Sequence, residues 1–230
     1  MKRFWKEATA RETDGGWQVM LDGRPIRTQA GAAQVVPTPA LAEALAEEWA
    51  AQGEEIDPGG FVLRDLADYA IDQVAADPAG TATRLLPYGD TDTLLYRADP
   101  DEPLWHRQQT LWEPVIKAAE ARHAIRFERV SGVLHRPQPE QTRVVLAGHL
   151  AGMSPFDLAA LEMLTTLAAS LITGLAALDP GADLDALFAA ANAEEDWQAE
   201  LWGWDLAAEQ RRALRLAAFR TAARFAALAR

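Results

Sequence analysis

The period of the hydrophobic pattern changes once along this chain, and that change constrains the fold more than any other feature. Near the N-terminus apolar residues alternate, with Trp17, Val19 and Leu21 at every second position, which is the periodicity of a strand. From about Phe61 onward they recur at three- and four-residue steps, which is the periodicity of a helix. Strands followed by a run of helices define an α+β chain. The division expected is a small β-containing N-terminal domain over residues 1–60 and a mainly α-helical bundle over residues 61–230. At 230 residues and 49% hydrophobic content the chain has ample length for a buried core, and wholesale disorder is excluded.

Local signals fill in this division. Asp22-Gly23 ends the first alternating run with two residues that tolerate positive φ, the signature of a tight hairpin, and Arg24-Pro-Ile-Arg-Thr returns as its partner. Gly31 marks another turn before a short Val35-Val36 strand. Thr38-Pro39 is a helix start, a hydroxyl cap followed by proline at the first helical position. Leu41, Leu45 and Trp49 then form one stripe, ending near Gly53. Leu66, Ala70 and Val74 form the next, closed by Asp77-Pro78. A break is expected at Pro87, and Thr93–Arg97 fits a short strand or a helical turn equally well. Leu104 to Arg122 reads as a helix with Trp105, Trp112 and Ile116 inward and a kink at Pro114. Ile125–Val130 and Val133–His135 read as extended. Ser154-Pro155-Phe156-Asp157 opens an apolar stretch, Leu158 to Leu178, expected as a single buried helix. It is built mainly of Ala, Thr and Leu, carries Glu162 and lacks an aromatic or basic flank, so it does not read as a membrane span. Two more helices are expected, over Leu184–Glu200 and Leu206–Ala229.

Charge and composition remove whole classes of function. Lys and Arg number 22 against 34 Asp and Glu, a formal charge of −12. A surface that neutralises phosphates is not expected on such a chain, so nucleic acid is not a partner. The absence of cysteine eliminates disulfides, thiolate metal sites and cysteine nucleophiles. The first residues, Met1-Lys-Arg-Phe-Trp-Lys-Glu, resemble neither a secretory signal nor an organelle presequence, and the expected location is the cytoplasm. No Walker loop, G-x-G-x-x-G fingerprint or G-x-S-x-G elbow occurs. His106, His123, His135 and His149 never fall at ligand spacing on one helix, so no metal and no cofactor are expected. Asp90, Asp92 and Arg97 are the one set that admits an enzymatic reading, a carboxylate-dependent hydrolase or lyase with an electrophilic arginine. Capped turn chemistry with a local ion pair explains them more simply.

The segment Glu194-Glu195-Asp196-Trp197-Gln198-Ala199-Glu200-Leu201-Trp202-Gly203-Trp204-Asp205 stands out, because tryptophan is costly to expose and here three crowd among acids. On a helix Glu194 and Gln198 share a face, as do Glu195 and Trp202. Two readings remain open. The tryptophans pack in the bundle and the acids are its wet side, or Glu194, Glu195, Gln198 and Trp202 form a protein-binding surface in which acids select a basic patch and aromatics supply contact area. An acidic helical scaffold for some other client is a variant of the second.

Several segments together resemble the Atp-twelve chaperone family, the assembly factor for the α subunit of F-type ATP synthase. They are Arg3-Phe-Trp-Lys-Glu-Ala, Gly16-Trp-Gln-Val-Met-Leu-Asp-Gly-Arg-Pro-Ile-Arg-Thr, the Ala-Glu-Glu-Trp-Ala-Ala-Gln-Gly-Glu-Glu-Ile-Asp-Pro run ending at Pro58, Ala70-Ile-Asp, Asp92-Thr-Leu-Leu-Tyr-Arg-Ala, Gln109-Thr-Leu-Trp-Glu-Pro and Glu194-Glu-Asp-Trp-Gln-Ala-Glu-Leu-Trp-Gly. They keep the family's order over nearly the whole chain. Phe61-Val-Leu-Arg-Asp-Leu replaces the family's methionine-proline-leucine opening, and Trp204 and Ala207-Ala208 replace more acidic positions. The resemblance implies a chaperone, not an enzyme, that binds the free α subunit, covers surface destined for the β subunit, and releases it as the hexamer forms. It implies that an acid at Glu194 or Glu195 matters. The expected protein is a bacterial, monomeric version with no membrane or nucleic-acid partner.

Overall fold

The computed structural model of the protein describes residues 1–230 apart from Val133 and Trp204. The chain divides into two compact units, one made of Met1–Pro78, Ser154–Ala160 and Thr221–Arg230, the other of Ala79–Met153 and Leu161–Arg220. The class is α+β, with the strands concentrated near the N-terminus and helices thereafter.

In the first unit β1 (Ala8–Thr13) and β2 (Gly16–Leu21) pair antiparallel from Ala8↔Leu21 to Thr13↔Gly16. The chain then turns through Asp22 and Gly23, at φ 48° and 79°, into β3 (Arg24–Pro25). Two successive positive φ values make the mirror-image turn that suits strand twist, as the Asp-Gly pair predicts. β4 (Val35–Val36) pairs with the start of β2. Gly16 permits that approach, since a Cβ there would stand 2.4 Å from the Val36 carbonyl oxygen. With neighbours on both edges, β2 is central, and Gln18 and Met20 are buried along with Val19 and Leu21. The alternation therefore marks a strand without marking a solvent face, and Gln18 is satisfied by donating to the Ile26 carbonyl at 2.8 Å.

Thr38 caps α1 (Pro39–Ala50), its hydroxyl accepting from Leu41 N at 3.2 Å. The stripe is realised: Leu41 and Leu45 are fully buried, and Trp49 packs edge-on to Trp5 at 4.9 Å and against Phe61 at 4.5 Å between ring centroids. α2 (Val62–Tyr69) begins at Phe61, which has no side chain able to cap it. Glu48 of α1 supplies the cap, accepting from Leu63 N at 2.7 Å and Arg64 N at 2.9 Å. α2 runs on into a π turn over Ala70–Val74, and Leu66, Ala70 and Val74 are buried together.

In the second unit α3 (Pro78–Asp90) continues through Pro87, where a break is expected from the sequence. The proline removes only the bond to the Thr83 carbonyl, one turn back, and both residues are exposed, so the lost bond falls on the solvent side of the helix. The segment 93–97 divides: residues 93–95 form a turn, with Leu95 N donating to the Asp92 carbonyl, and the strand that follows is β5 (Tyr96–Arg97). It pairs in parallel with β6 (Val130–Ser131) after the intervening α4 (Pro103–His123), in which Trp112 and Ile116 are fully buried. Of the stretches expected as extended, only Val130–Ser131 is a strand among the described residues, and Val133 lies outside them.

After α5 (Glu140–Ala151) come α6 (Pro155–Ala168) and α7 (Leu171–Ala177), where one helix is expected. Ala169 turns left-handed at φ 48°, and Ser170 recaps the chain by accepting from Thr173 N at 2.9 Å. The stretch Leu184–Glu200 is likewise two helices, α8 (Leu184–Ala191) and α9 (Ala193–Trp202). The break is Asn192, whose side-chain amide donates to the Phe188 carbonyl at 2.8 Å. α10 (Leu206–Leu228) closes the chain. Among the described residues no helix is long and apolar enough to cross a membrane.

Candidate functional site

The acids of α9 are mostly engaged within the second unit. Asp196 accepts two bonds from Arg212 of α10, at 2.8 and 2.7 Å, and Glu200 two from Arg107 of α4, at 2.5 and 2.7 Å. Glu195 pairs with Arg215 of α10, and both side chains are more than a third exposed. The Arg107 guanidinium also lies over the Trp197 ring, 5.7 Å from its centroid, and Arg212 sits 5.4 Å from that of Phe188. These arginines, which the sequence reading left out, convert an acidic stripe into a lattice of charge-assisted bonds. The pairs lie 16, 20 and 93 residues apart in sequence, so no local spacing announces them.

Past the acids the helix becomes apolar and wet. Trp202 is 78% exposed and Leu201 56%, with Leu206 at 69% and Leu214 at 71% on α10. A large side chain left in water forgoes about 1.5–3 kcal/mol of burial. Trp204, part of the same motif, lies outside the described residues. Gln198 is exposed, one turn from Glu194 on the helix.

Glu194 has a different setting from its neighbours. Its Oε1 accepts from Gln108 Nε2 at 2.8 Å. Gln108 is itself fully buried, with its Oε1 accepting from Ala98 N at 2.9 Å. Glu194 borders a recess of about 410 Å³ shared with Thr91, Thr93, Tyr96 and His135. A second, apolar groove of about 470 Å³ runs along α4 and α8, with Leu111, Pro114, Val115 and Leu187 in its walls.

The enzymatic trio does not converge. Asp92 is entirely buried, accepting from Leu94 N at 3.0 Å and Ile172 N at 2.9 Å. Burial pushes its carboxyl up to about 6 against the bonds from Ile172, Ser170 and Leu94. Arg97, 6% exposed, donates to Gln109 at 2.5 Å and Glu113 at 2.6 Å. Asp90 accepts from Gln138 N and faces Arg143 at 3.5 Å. Each member is committed to its own partners. His123 and His149 do meet, with ring centroids 4.7 Å apart, a convergence that chain spacing cannot reveal. Burial and the neighbouring His149 hold the His123 imidazole below its usual range. Among the described residues no group of three or more potential ligands could hold a metal ion.

The same architecture occurs in a solved structure. The crystal structure of Atp12 from Paracoccus denitrificans superimposes with a TM-score of 0.95 at 41% sequence identity, over 100% of this chain and 98% of that one. Among curated proteins, mitochondrial atp12 of Schizosaccharomyces pombe is 24% identical over 88% of this chain and 74% of its own length. Mitochondrial ATP12 of Saccharomyces cerevisiae is 27% identical over 88% and 76%. Residues 2–120 match the family model described as ATP12 chaperone protein. The chain therefore belongs to the ATP12 chaperone family.

Proposed function

We propose that this protein is an assembly chaperone of F-type ATP synthase that binds the free α subunit and needs no nucleotide hydrolysis of its own. Family membership supports the class, and the observation that carries the binding role is the exposed apolar end of α9, where Trp202 and Leu201 stand in water beside a paired acidic stripe. An unassembled ring subunit exposes an interface that aggregates unless covered. A chaperone for it must bind firmly enough to compete with aggregation and weakly enough to yield to the β subunit. A few aromatic and aliphatic contacts ringed by exchangeable charges meet both demands. Glu194, Glu195, Gln198 and Trp202 are the proposed contact residues, and the site of action is the cytoplasm, with the monomer as the working form. The test mixes the purified protein separately with isolated α and β subunits and follows co-migration on size exclusion. Co-migration with α alone is expected. Co-migration with neither, or suppression of light scattering from an unrelated aggregating protein as strong as that from α, would leave only a general holdase.

A further inference from the structure

We propose that the recess bordered by Glu194 is a receptor for a single arginine side chain presented by the client. Its walls are about half apolar, which suits an aliphatic stem, and the polar groups among them are mainly acceptors. The Thr91 hydroxyl donates to the Pro87 carbonyl at 3.1 Å and the Thr93 hydroxyl to the Ala169 carbonyl at 2.9 Å. Both protons are thus committed, and the two oxygens can only accept. The Tyr96 hydroxyl lies 3.1 Å from His135 Nδ1 and 3.3 Å from the Asp90 carbonyl oxygen, so its single proton is used within the wall. Glu194 is aimed by Gln108, whose amide is buried and oriented by the Ala98 N–H. Among the described residues its Oε2 has no hydrogen-bond partner.

A carboxylate or phosphate entering this recess meets lone pairs and a negative charge, whereas a guanidinium brings five donors in a planar fork. The volume of about 410 Å³ admits one long side chain. That the side chain comes from a protein follows from α9 itself. Glu194, Gln198 and Leu201 are four and then three residues apart and share a face. The exposed Leu201 therefore lies two turns, about 10 Å, along the helix from the recess. A partner seated on the apolar end reaches the recess with its next contact.

The inference rests on the client reading for the identity of the partner, and two measurements keep the two apart. With isolated α subunit, Glu194→Gln and Thr93→Val are each expected to raise Kd at least fivefold with the melting temperature within about 2 °C of wild type. Glu194→Gln keeps an oxygen for Gln108 and removes only the charge. With N-acetyl-arginine amide as probe, NMR shifts are expected to gather on Thr91, Thr93, Tyr96, His135 and Glu194, and to vanish in Glu194→Gln. If wild type binds α and both variants bind it equally well, the receptor is overturned while the client reading stands. If wild type does not bind α, the client reading fails and the probe titration decides alone: shifts confined to the recess uphold the receptor, and absent or dispersed shifts overturn it.

Discussion

Carboxylates in the first unit and on α9 of the second do different work. In the first unit several of them bind backbone, although Asp65 and Asp157 pair with arginines there. Asp22 accepts from Lys6 N and Glu7 N, Glu48 from Leu63 N and Arg64 N, Asp68 from Gln29 N and Asp72 from Ala30 N. On α9 three of the four bind arginine side chains, Glu195 with Arg215, Asp196 with Arg212 and Glu200 with Arg107, while Glu194 accepts from Gln108. A backbone N–H has one position in the fold, so a carboxylate that holds it is part of the architecture, and removing it strands a donor. An ion pair more than a third exposed on both sides, as Glu195–Arg215 is, contributes about 0–1 kcal/mol, so a competing charge displaces it at little cost. Acids of the first kind specify a structure, whereas the exposed Glu195–Arg215 pair leaves its charges open to exchange.

The sharpest test of the architectural class is Asp92, in the second unit, which also binds backbone N–H groups but in full burial. Its pKa stands at about 6 in the folded chain against 3.8 for the ordinary side chain. The native state therefore holds the proton more tightly than the unfolded state, and the stability this group contributes is present below pH 3.8 and lost as pH rises through 6. At ~1.4 kcal/mol per pH unit the loss comes to about 2–3 kcal/mol between pH 4 and pH 8. Urea unfolding of wild type and Asp92→Asn at both pH values reads it as a difference. The margin of wild type over the variant should be larger at pH 4 by that amount. An equal margin at both would mean that folding leaves the Asp92 carboxyl at its ordinary pKa.

Glu48→Ala should be next in size. It leaves two N–H groups at the start of α2 without the cap that Phe61 cannot supply, at a cost of about 2 kcal/mol. Arg215→Ala, which removes only the partner of the exposed Glu195 pair, should cost no more than about 1 kcal/mol. Comparable losses from the two would erase the distinction between the classes.

Trp202→Ala should reverse the pattern, leaving stability within ~0.5 kcal/mol because the ring is 78% exposed, while weakening α-subunit binding tenfold or more. Thermal melts beside titration calorimetry check both. A melting temperature lowered by several degrees would make the indole a structural element and remove it from the contact surface.

What was legible in the sequence were the features encoded within a turn or two of chain. Asp22-Gly23 makes its hairpin, Thr38-Pro39 its cap, and Leu41 with Leu45 its buried stripe. The misreadings are places where one side chain rewrote the backbone against a favourable pattern. Asn192 and Ser170 each cut a helix that apolar periodicity would continue, and Pro87 failed to end one because its cost fell on the exposed side. At the candidate site the acids and indoles of α9 were plain, and so was Tyr96 with Thr93 in a stretch resembling the chaperone family. Arg107, Arg212 and Arg215, which decide what those acids do, arrive from other helices, and His135 reaches Tyr96 from 39 residues away. Tertiary pairing of that kind leaves no periodicity to read.

The smallest expected effect decides whether Glu195 belongs to the surface or to the scaffold. Glu195→Lys places a cation beside Arg215, turning an attraction between half-exposed groups into a repulsion of similar size, so stability should fall by about 1 kcal/mol or less. If the client presents a basic patch here, binding should weaken severalfold, more than for Glu195→Gln, and wild-type affinity should fall as salt rises, since exposed charges are screened over ~8 Å at physiological ionic strength. Arg215→Glu added to Glu195→Lys restores the ion pair in reverse. It should recover the melting temperature and leave binding weak, because the client meets the surface charge and not the pair. Recovery of both together would show that Glu195 acts only by anchoring α9 to α10, and recognition would then fall to Glu194 and the apolar end of the helix.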